Sequence, residues 1–470
     1  MSNFLKNVII FFVLTTLLLV PALADTIPVT KNATIQAFEN AGFQVNDGKM
    51  ETVDVLGMYN AGISPSCYGN NPTAPYMTFK VPKAPGQTGN NSLSDAAIEP
   101  DNAGLWLDFH MRPDEAFVYV GVTPPECEYF SYADFLSVRY FPDTDEHRRV
   151  YASLEDTINL DRLKAEPAYQ SGVFSKPIIV ILTADKHADQ KARDALLSAG
   201  YPENIIHTLT VPGPLVHLGL DSKTDTINSL HRVALFHNET EGDAYMNSTP
   251  GIVYRLTPEN ESEPDYYDVP NLIPRGTGET RELNLMKDVE ELRAAIIARH
   301  GTDHVEDLTT KVWLFDGYDA IQRGIDVLGE SRDTVYLNTT ETTLGDKPGE
   351  EIIVYGVNHA ATGKATYANF GLYGDWALNG IGGISNKDYT GSAEEYLPNN
   401  PNAKYLYVAK ISRNDDGKNT TSVIQSGVGV SGIEPDEPCF VGYRAYVEPE
   451  TGVSPAWSEL VYDRAMKITP

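Results

Sequence analysis

Apolar and polar positions divide the chain into three regions of different periodicity. Short apolar or alternating segments dominate up to about residue 170 and return after about residue 350, and such segments are typical of strands. Between them, strand-like runs alternate with longer segments of helical spacing. The pattern predicts a mixed α+β protein with β-rich N- and C-terminal parts, with or without a duplicated β unit, around a central α/β region.

The changes in pattern also predict domain limits. We expect a β-rich N-terminal domain over 25–172, a central α/β domain over 173–345, and a β-rich C-terminal domain over 346–470. These lengths are typical of compact domains. The residues before them, 1–24, are treated separately below.

The clearest α/β unit is predicted over 178–211. Ile178 to Leu182 is apolar throughout, as in a buried strand, and residues 184–199 have helical spacing that ends at Gly200. A second strand follows at 205–211. The order strand, helix, strand is typical of a β-α-β unit.

Two more helices are predicted in the central region. Asp225 is a suitable cap for a helix that ends near residue 237. The segment 285–299 places Met286, Val289 and Leu292 on one face. Strand, helix and strand then recur between 312 and 337, and the chain after 351 is mostly strand.

One internal similarity connects the two β-rich parts. Residues 117–135 and 352–370 both contain a Gly-Val pair followed, nine residues later, by Tyr-Ala-Asp/Asn-Phe. Both stretches are typical of a strand, a turn and a second strand. The alternatives are a chance similarity of two hairpins and a duplicated β unit. A duplication predicts a quasi-symmetric cleft between the units, and ligands commonly bind at such interfaces.

The N-terminus has the pattern of a secretory signal peptide. Lys6 precedes an apolar run from Val8 to Val20, and Ala22-Leu23-Ala24 forms a small-x-small site. We therefore predict cleavage after Ala24 and a secreted, extracellular protein, with an uncleaved N-terminal anchor as the alternative. No later segment is apolar for the ~20 residues that a spanning helix needs, so stable membrane insertion is not expected after cleavage.

Charge and sequons refine this prediction. The formal net charge of −29 disfavours nucleic acid and anionic lipid as partners, because both need local positive charge. Export makes the Asn-x-Ser/Thr sites candidate glycan acceptors and expected surface positions. These sites are Asn32, Asn90, Asn238, Asn247, Asn260, Asn338 and Asn419.

The three cysteines are too few for a disulfide scaffold and show no CxxC spacing. In an oxidising compartment two of them can pair. We predict a disulfide between Cys67 and Cys127, because both lie in the N-terminal third beside proline-containing turns. Cys439 would then remain free or buried.

The familiar catalytic and cofactor motifs are missing or incomplete. The glycine-rich segment 427–432 fits GxGxxG, but Pro435 and Pro438 prevent the helix that a dinucleotide site requires. GxSxG and HExxH are absent from the sequence. No cofactor can be assigned from these patterns.

Two histidines and a carboxylate are the main candidates for chemistry. Strand alternation over 106–111 places Asp108 and His110 on one face beside Trp106. An Asp two residues from a His can orient the imidazole or supply metal ligands, although an ordinary solvated strand face is the alternative. His359 follows the second Gly-Val pair, where the first copy has Thr-Pro, and either specialisation after duplication or a structural role fits it.

A dense acidic turn is a weaker metal candidate. Asp143, Asp145 and His147 lie within five residues, but the turn lacks the glycine and distant glutamate of a calcium loop. A solvated turn is the alternative.

Three strings carry a family resemblance. G-V-T-P-P-x3-Y-F-S at 121–131, H-L-G-L-D-x3-D-T at 217–226 and Y-G-V-N-H-x3-G-K-A-T-Y at 355–367 resemble signatures of an uncharacterised group of secreted proteins. The resemblance covers the central part of the chain and implies common ancestry across it. It implies no activity, cofactor or catalytic residue.

Two functions from different classes follow. The first is a secreted, soluble glycoprotein of the extracellular space or surface that binds a carbohydrate or a small molecule in the cleft between repeats. The second is an extracellular hydrolase that uses Asp108 and His110, with or without His359, as acid/base groups or metal ligands. A purely structural envelope role is a third possibility. The hydrolase requires these residues to meet in one site, whereas the binding protein does not.

Overall fold

The computed structural model describes residues 29–87, 104–248, 250–427 and 429–470. The predicted signal peptide and Asn90 lie outside these residues. The fold is mixed α+β, as the periodicity predicted. It contains several sheets, one of them curled into a half-barrel. None of the helices in the described residues is both long enough and apolar enough to span a membrane.

The first half of the molecule, residues 31–258, is built on one ten-stranded sheet. Its helices are α1 (Lys31–Asn40), α2 (Val55–Asn60), α3 (Leu160–Lys164), α4 (Lys186–Ala199) and α5 (Glu239–Asn247). Its strands are β1 (Phe43–Thr52), β2 (Tyr76–Lys80), β3 (Ala116–Val122), β4 (Cys127–Phe141), β5 (Glu146–Ser153), β6 (Ile158–Asn159), β7 (Pro177–Thr183), β8 (Ile206–Thr210), β9 (Thr226–Phe236) and β10 (Gly251–Pro258).

The predicted β-α-β unit is confirmed. β7 is buried along almost its whole length, and α4 follows it with its first backbone N–H groups capped by the Asp185 side chain. Gly200 ends α4 with φ of 102°, a left-handed conformation that glycine adopts without steric cost. β7 and β8 then pair in parallel.

The second half, residues 286–468, contains two five-stranded sheets. Its helices are α6 (Met286–His300), α7 (Gly317–Arg323) and α8 (Asn386–Tyr389). Its strands are β11 (Val305–Leu308), β12 (Thr310–Leu314), β13 (Thr334–Thr339), β14 (Glu351–Val357), β15 (Tyr367–Gly374), β16 (Asn379–Ser385), β17 (Leu406–Ser412), β18 (Thr421–Val423), β19 (Cys439–Tyr446) and β20 (Arg464–Ile468).

Both halves pair their strands in the same order. The first sheet runs β5-β4-β9-β2-β1-β10-β3-β7-β8, and the second half runs β16-β15-β19-β13-β12 in one sheet and β11-β20-β14-β17-β18 in the other. β1 is continuous and pairs with both β2 and β10. At the matching position the second half has two separate strands, β11 and β12, and its sheet divides there.

The similar segments 117–135 and 352–370 occupy matching places in this scheme. Gly121 of β3 pairs with Ile178 of β7, and Gly356 of β14 pairs with Tyr407 of β17. In each half the second of these strands, β7 or β17, also pairs in parallel with the strand beyond it. The two segments are not the hairpins that the sequence predicted. β3 and β4 are separated in their sheet, and β14 and β15 belong to different sheets, because long-range pairing determines strand neighbours.

The same long-range pairing changes two other predictions. The region 173–345 does not form a sheet of its own within the described residues: β7–β10 join the sheet of β1–β4, and β11–β13 join the sheets of the second half. The helix predicted from Asp225 to 237 is the strand β9, which pairs with β4 over most of its length.

The halves share a hydrophobic core. α1 and α4 cover one face of the first sheet. The cluster on the other face includes Tyr129 and Phe130 of the first half together with Ile321, Tyr367 and Tyr446 of the second. The residues through which the two halves contact each other are therefore part of the buried core.

Candidate functional site

Asp108 and His110 are both buried, but the structure gives them different surroundings. Residues 106–111 form isolated bridges, with Phe109 opposite Ile227, and no regular alternating strand. His110 Nδ1 lies 3.1 Å from the Asp225 carbonyl oxygen and 3.1 Å from the Thr224 hydroxyl. Asp108 instead lines a pocket, described below.

His359 belongs to a buried ionic network in the second half. Its Nδ1 lies 3.0 Å from both Glu282 carboxylate oxygens, and its Nε2 lies 3.2 Å from Asp463 Oδ2. Burial alone would lower the pKa of His359, but the two carboxylates raise it well above its usual value. The described hydrogen bonds of His110 and His359 lead to different partners, so they give no support to the shared site that the hydrolase hypothesis requires.

The acidic turn does not assemble a metal site. Asp145 accepts a hydrogen bond from the Tyr140 hydroxyl, and His147 Nε2 contacts the Ser222 carbonyl. Across 29–87, 104–248, 250–427 and 429–470, no group of three or more His, Cys, Asp or Glu side chains is arranged to hold a metal ion. Asp143, Asp145 and His147 are therefore a surface turn.

The predicted disulfide between Cys67 and Cys127 is wrong. All three cysteines are buried free thiols. Cys67 and Cys127 belong to different hydrophobic clusters, and Cys439 belongs to a third. Burial raises the pKa of the Cys67 thiol to about 11, which leaves it unreactive at neutral pH.

The described sequons differ in exposure. Most are exposed, as a glycan acceptor must be: Asn32, Asn238, Asn247, Asn260 and Asn419. Asn338 is the exception, because it lies half-buried within β13 and its Oδ1 is buried. Asn338 is therefore less accessible than the other described sequons.

One concave site is a pocket of about 130 Å³ that is partly open to solvent, which we call the Asp108 pocket. Several parts of the chain surround it. The floor is the sheet of β4, β5 and β9, which supplies Ser137, Arg149, Tyr151, Leu230 and Arg232. The walls come from α2 and the loop 67–70, from Leu107 and Asp108, and from 328–329 of the second half.

The second half holds the loop 67–70 in place. The backbone N–H groups of Cys67 and Gly69 donate to the carbonyl oxygens of Ala377 and Leu378 at 2.7 and 2.8 Å. Arg444 Nη2 donates to the Gly69 carbonyl oxygen at 2.9 Å. The pocket therefore depends on both halves, as a cleft between repeats would.

Asp108 is the unusual group in this pocket. It is 7% exposed, and its Oδ1 is buried without a hydrogen-bond partner among the described residues. Burial raises the pKa of Asp108 to about 6, although Ser137, Arg149 and Asn228 act to lower it. A buried carboxylate with an unused oxygen is costly, because neither water nor a partner replaces its lost solvation.

Arg149 fills the space between two aromatic rings of the pocket. Its guanidinium lies 3.7 Å from the Tyr68 ring centroid and 4.3 Å from that of Tyr151. Nη1 also donates to both carboxylate oxygens of Asp326, at 2.8 and 2.7 Å. These contacts fix Arg149 as a rigid, neutralised wall.

Arg232 is a second buried cation at the pocket. Its Nη1 lies 3.4 Å from Asp333 Oδ1, and its guanidinium lies 5.6 Å from the Tyr76 ring centroid. Its Nε is buried and has no hydrogen-bond partner in the described part of the chain. Asp108 and Arg232, which both line the pocket, thus each keep one buried polar atom without a hydrogen-bond partner in the described residues.

Backbone strain is concentrated around this pocket. Tyr68, Tyr151 and Leu328 line it and have φ of 54°, 43° and 56°, a region that costs energy for residues with a Cβ. Such strain is commonly retained at ligand sites, where the surrounding structure imposes it.

Sequence reasoning identified Asp108 but missed Arg149, Tyr151 and Arg232. The signal that points to Arg149 and Arg232 is a charged residue inside an apolar, strand-like run, because a buried arginine needs a specific partner. Arg232 was hidden because its segment was predicted as a helix. The approach of the loop 67–70 to these residues has no local signal in the sequence.

Comparison with known proteins gives little further information. No family model matches the chain, and no curated protein matches it. Among solved structures, the chain is similar to an uncharacterised protein from Burkholderia cenocepacia, with a TM-score of 0.39 and 10% identity over 93% of this chain and 86% of that one.

Proposed function

We propose that this protein is an exported binding protein whose small-molecule ligand occupies the Asp108 pocket. One observation carries the proposal: Asp108 lines a cavity as a carboxylate that is 7% exposed and has no ion-pair partner within 4.0 Å among the described residues. A ligand that donates a hydrogen bond to the accessible part of this carboxylate offsets part of the cost of its burial.

The arrangement of the two halves supports this proposal. Their shared strand order and the matching segments at 117–135 and 352–370 fit an internal duplication. In this correspondence Ser137 and Arg149 match Leu372 and Gly380, so the second half lacks the polar groups of the pocket. One copy thus retains a polar pocket, and the other contributes the walls that close it.

Export and glycosylation complete the proposal. The N-terminal pattern with its Ala22-Leu23-Ala24 site and the exposed Asn32, Asn238, Asn247, Asn260 and Asn419 support an extracellular glycoprotein. The hydrolase alternative gains no support from the geometry, because Asp108, His110 and His359 have separate surroundings.

Thermal unfolding with single-ring probes tests the pocket. The probes are benzyl alcohol, benzylamine, benzoate and glucose at millimolar concentration. At least one should raise the unfolding midpoint by about 1 °C or more, because a ligand of the native state stabilises it by mass action.

The matched variant is Met58→Trp, which places a larger side chain at a half-buried position of the pocket wall. It should remove the shift while its own midpoint stays near that of the native sequence. If no probe stabilises the protein, or if Met58→Trp leaves the shift unchanged, the pocket is not a binding site.

A further inference from the structure

The charges around the Asp108 pocket do not cancel. Arg149 is neutralised by Asp326, and Arg232 faces Asp333. Among the described residues Asp108 has no ion-pair partner within 4.0 Å, and Arg149 acts on it only at longer range. Ionised Asp108 therefore leaves one uncompensated negative charge in a largely desolvated pocket.

The pocket has apolar as well as polar lining residues. Tyr68 and Tyr151 already hold the Arg149 guanidinium between their rings. An aliphatic part of the lining comes from several elements. Its residues are Val53, Val55, Met58, Leu107, Leu230 and Leu328. An apolar ligand body can lie against this surface while a polar group points to Asp108.

The volume limits the ligand to a small molecule. The cavity measures about 130 Å³, and an apolar cavity of about 150 Å³ accommodates benzene. A body no larger than one six-membered ring fits this space, with a short arm extending toward its open side, whereas an oligosaccharide does not fit.

We infer that the pocket selects a small organic amine, with its ammonium group on Asp108 and a ring-sized apolar body against the aliphatic wall. This inference rests on the proposed function. An ammonium group supplies both the hydrogen-bond donor and the positive charge that Asp108 lacks, and charge-assisted hydrogen bonds are about twice as strong as neutral ones. A neutral alcohol of the same shape supplies the donor alone.

Benzylamine and benzyl alcohol form the deciding pair, because they share a ring and differ in charge. Titration calorimetry near pH 7.5 should show benzylamine binding at least about tenfold more tightly than benzyl alcohol, a difference of about 1.4 kcal/mol. Asp108→Asn should reduce benzylamine affinity by about tenfold or more and change benzyl alcohol affinity much less. Asp243→Asn, which makes the same substitution at an exposed position of α5, should leave both unchanged.

Acidification provides an independent readout in the native sequence. Benzylamine affinity should fall as the pH is lowered through about 6, because protonation of Asp108 removes its charge. The other ionisable side chains facing Asp108 are Tyr68, Arg149 and Tyr151, and none of these residue types titrates near this pH. Benzyl alcohol should show no comparable change.

The outcomes separate this inference from the proposed function. Equal binding of the two probes, or an Asp108→Asn variant that still prefers benzylamine, overturns the selection for an amine and leaves a pocket that binds small rings. Absence of binding by both probes, together with no stabilisation by benzoate or glucose, overturns the pocket as well.

Discussion

Asp108 illustrates how one residue can lower stability in the unliganded protein. Its carboxyl is buried with an unused oxygen, and its pKa is raised to about 6. A raised carboxyl pKa means that the folded state holds the proton more tightly than the unfolded state. The resulting stabilisation is lost as the pH rises from about 4 to about 6.

Asp108→Asn should therefore stabilise the unliganded protein. We expect the free energy of unfolding to increase by about 1–3 kcal/mol near pH 8, with a smaller gain near pH 4 where the native carboxyl is already neutral. Urea unfolding at the two pH values measures the difference. A loss of stability near pH 8 contradicts the prediction.

At the residue scale, the sequence singled out Asp108 but not its partners. Alternation suggested that Asp108 and His110 share a face, yet residues 106–111 are irregular and bridge to different strands. Asp108 faces Ser137 and Arg149 of β4 and β5, which follow it by about 30 to 40 positions. Such separations have no periodic signal, because the sheet brings these residues together.

At the element scale, β9 shows how tertiary contacts override local preference. Asp225 has the character of a helix cap, but its carboxylate accepts hydrogen bonds from Arg139 Nε at 3.1 Å and from the His217 backbone N–H at 2.8 Å. The residues after it pair with β4. The buried ion pair therefore anchors the start of a strand.

Arg139→Met should destabilise the protein by about 3–5 kcal/mol, because it leaves the Asp225 carboxylate buried without its counter-ion. The double variant Arg139→Met/Asp225→Asn should recover part of this loss, since it removes the unpaired charge as well. Urea unfolding of both variants and of Asp225→Asn forms the double-mutant cycle. A double variant that is the sum of the two single variants contradicts the coupling.

At the scale of the whole molecule, charged groups connect the two halves. Glu330 is fully buried; it accepts a hydrogen bond from Ser153 of the first half at 2.9 Å and lies 3.2 Å from Arg275 Nη2. Burial raises the pKa of Glu330 to about 7, while Arg275 lowers it and Asp316 raises it further. The contact between the halves is thus sensitive to pH near neutrality.

Glu330→Gln should change the dependence of stability on pH. Because the folded-state pKa is raised, the native sequence gains stability from Glu330 at low pH and loses it as the pH rises from about 4.5 to about 7. Relative to Glu330→Gln, the free energy of unfolding of the native sequence should fall by about 3 kcal/mol across this range.

Guanidinium or urea unfolding of both proteins at several pH values measures this difference. Glu351→Gln serves as a control, because Glu351 forms its ion pair with Lys410 within the second half. A difference between native sequence and Glu330→Gln that stays constant from pH 4.5 to 7 contradicts the raised pKa.

The sequence by itself determined the mixed α+β class, the position of elements such as β7, α4, β8 and α6, and the matching segments at 117–135 and 352–370. These features depend on local periodicity, on caps such as Asp185 and Gly200, and on apolar runs such as β7. Only the tertiary structure decided which strands pair, that residues 173–345 belong to both halves, and that Asp108 faces Arg149 across a pocket closed by the second half. Strand pairing and burial depend on contacts between residues far apart in the chain, and local patterns do not encode them.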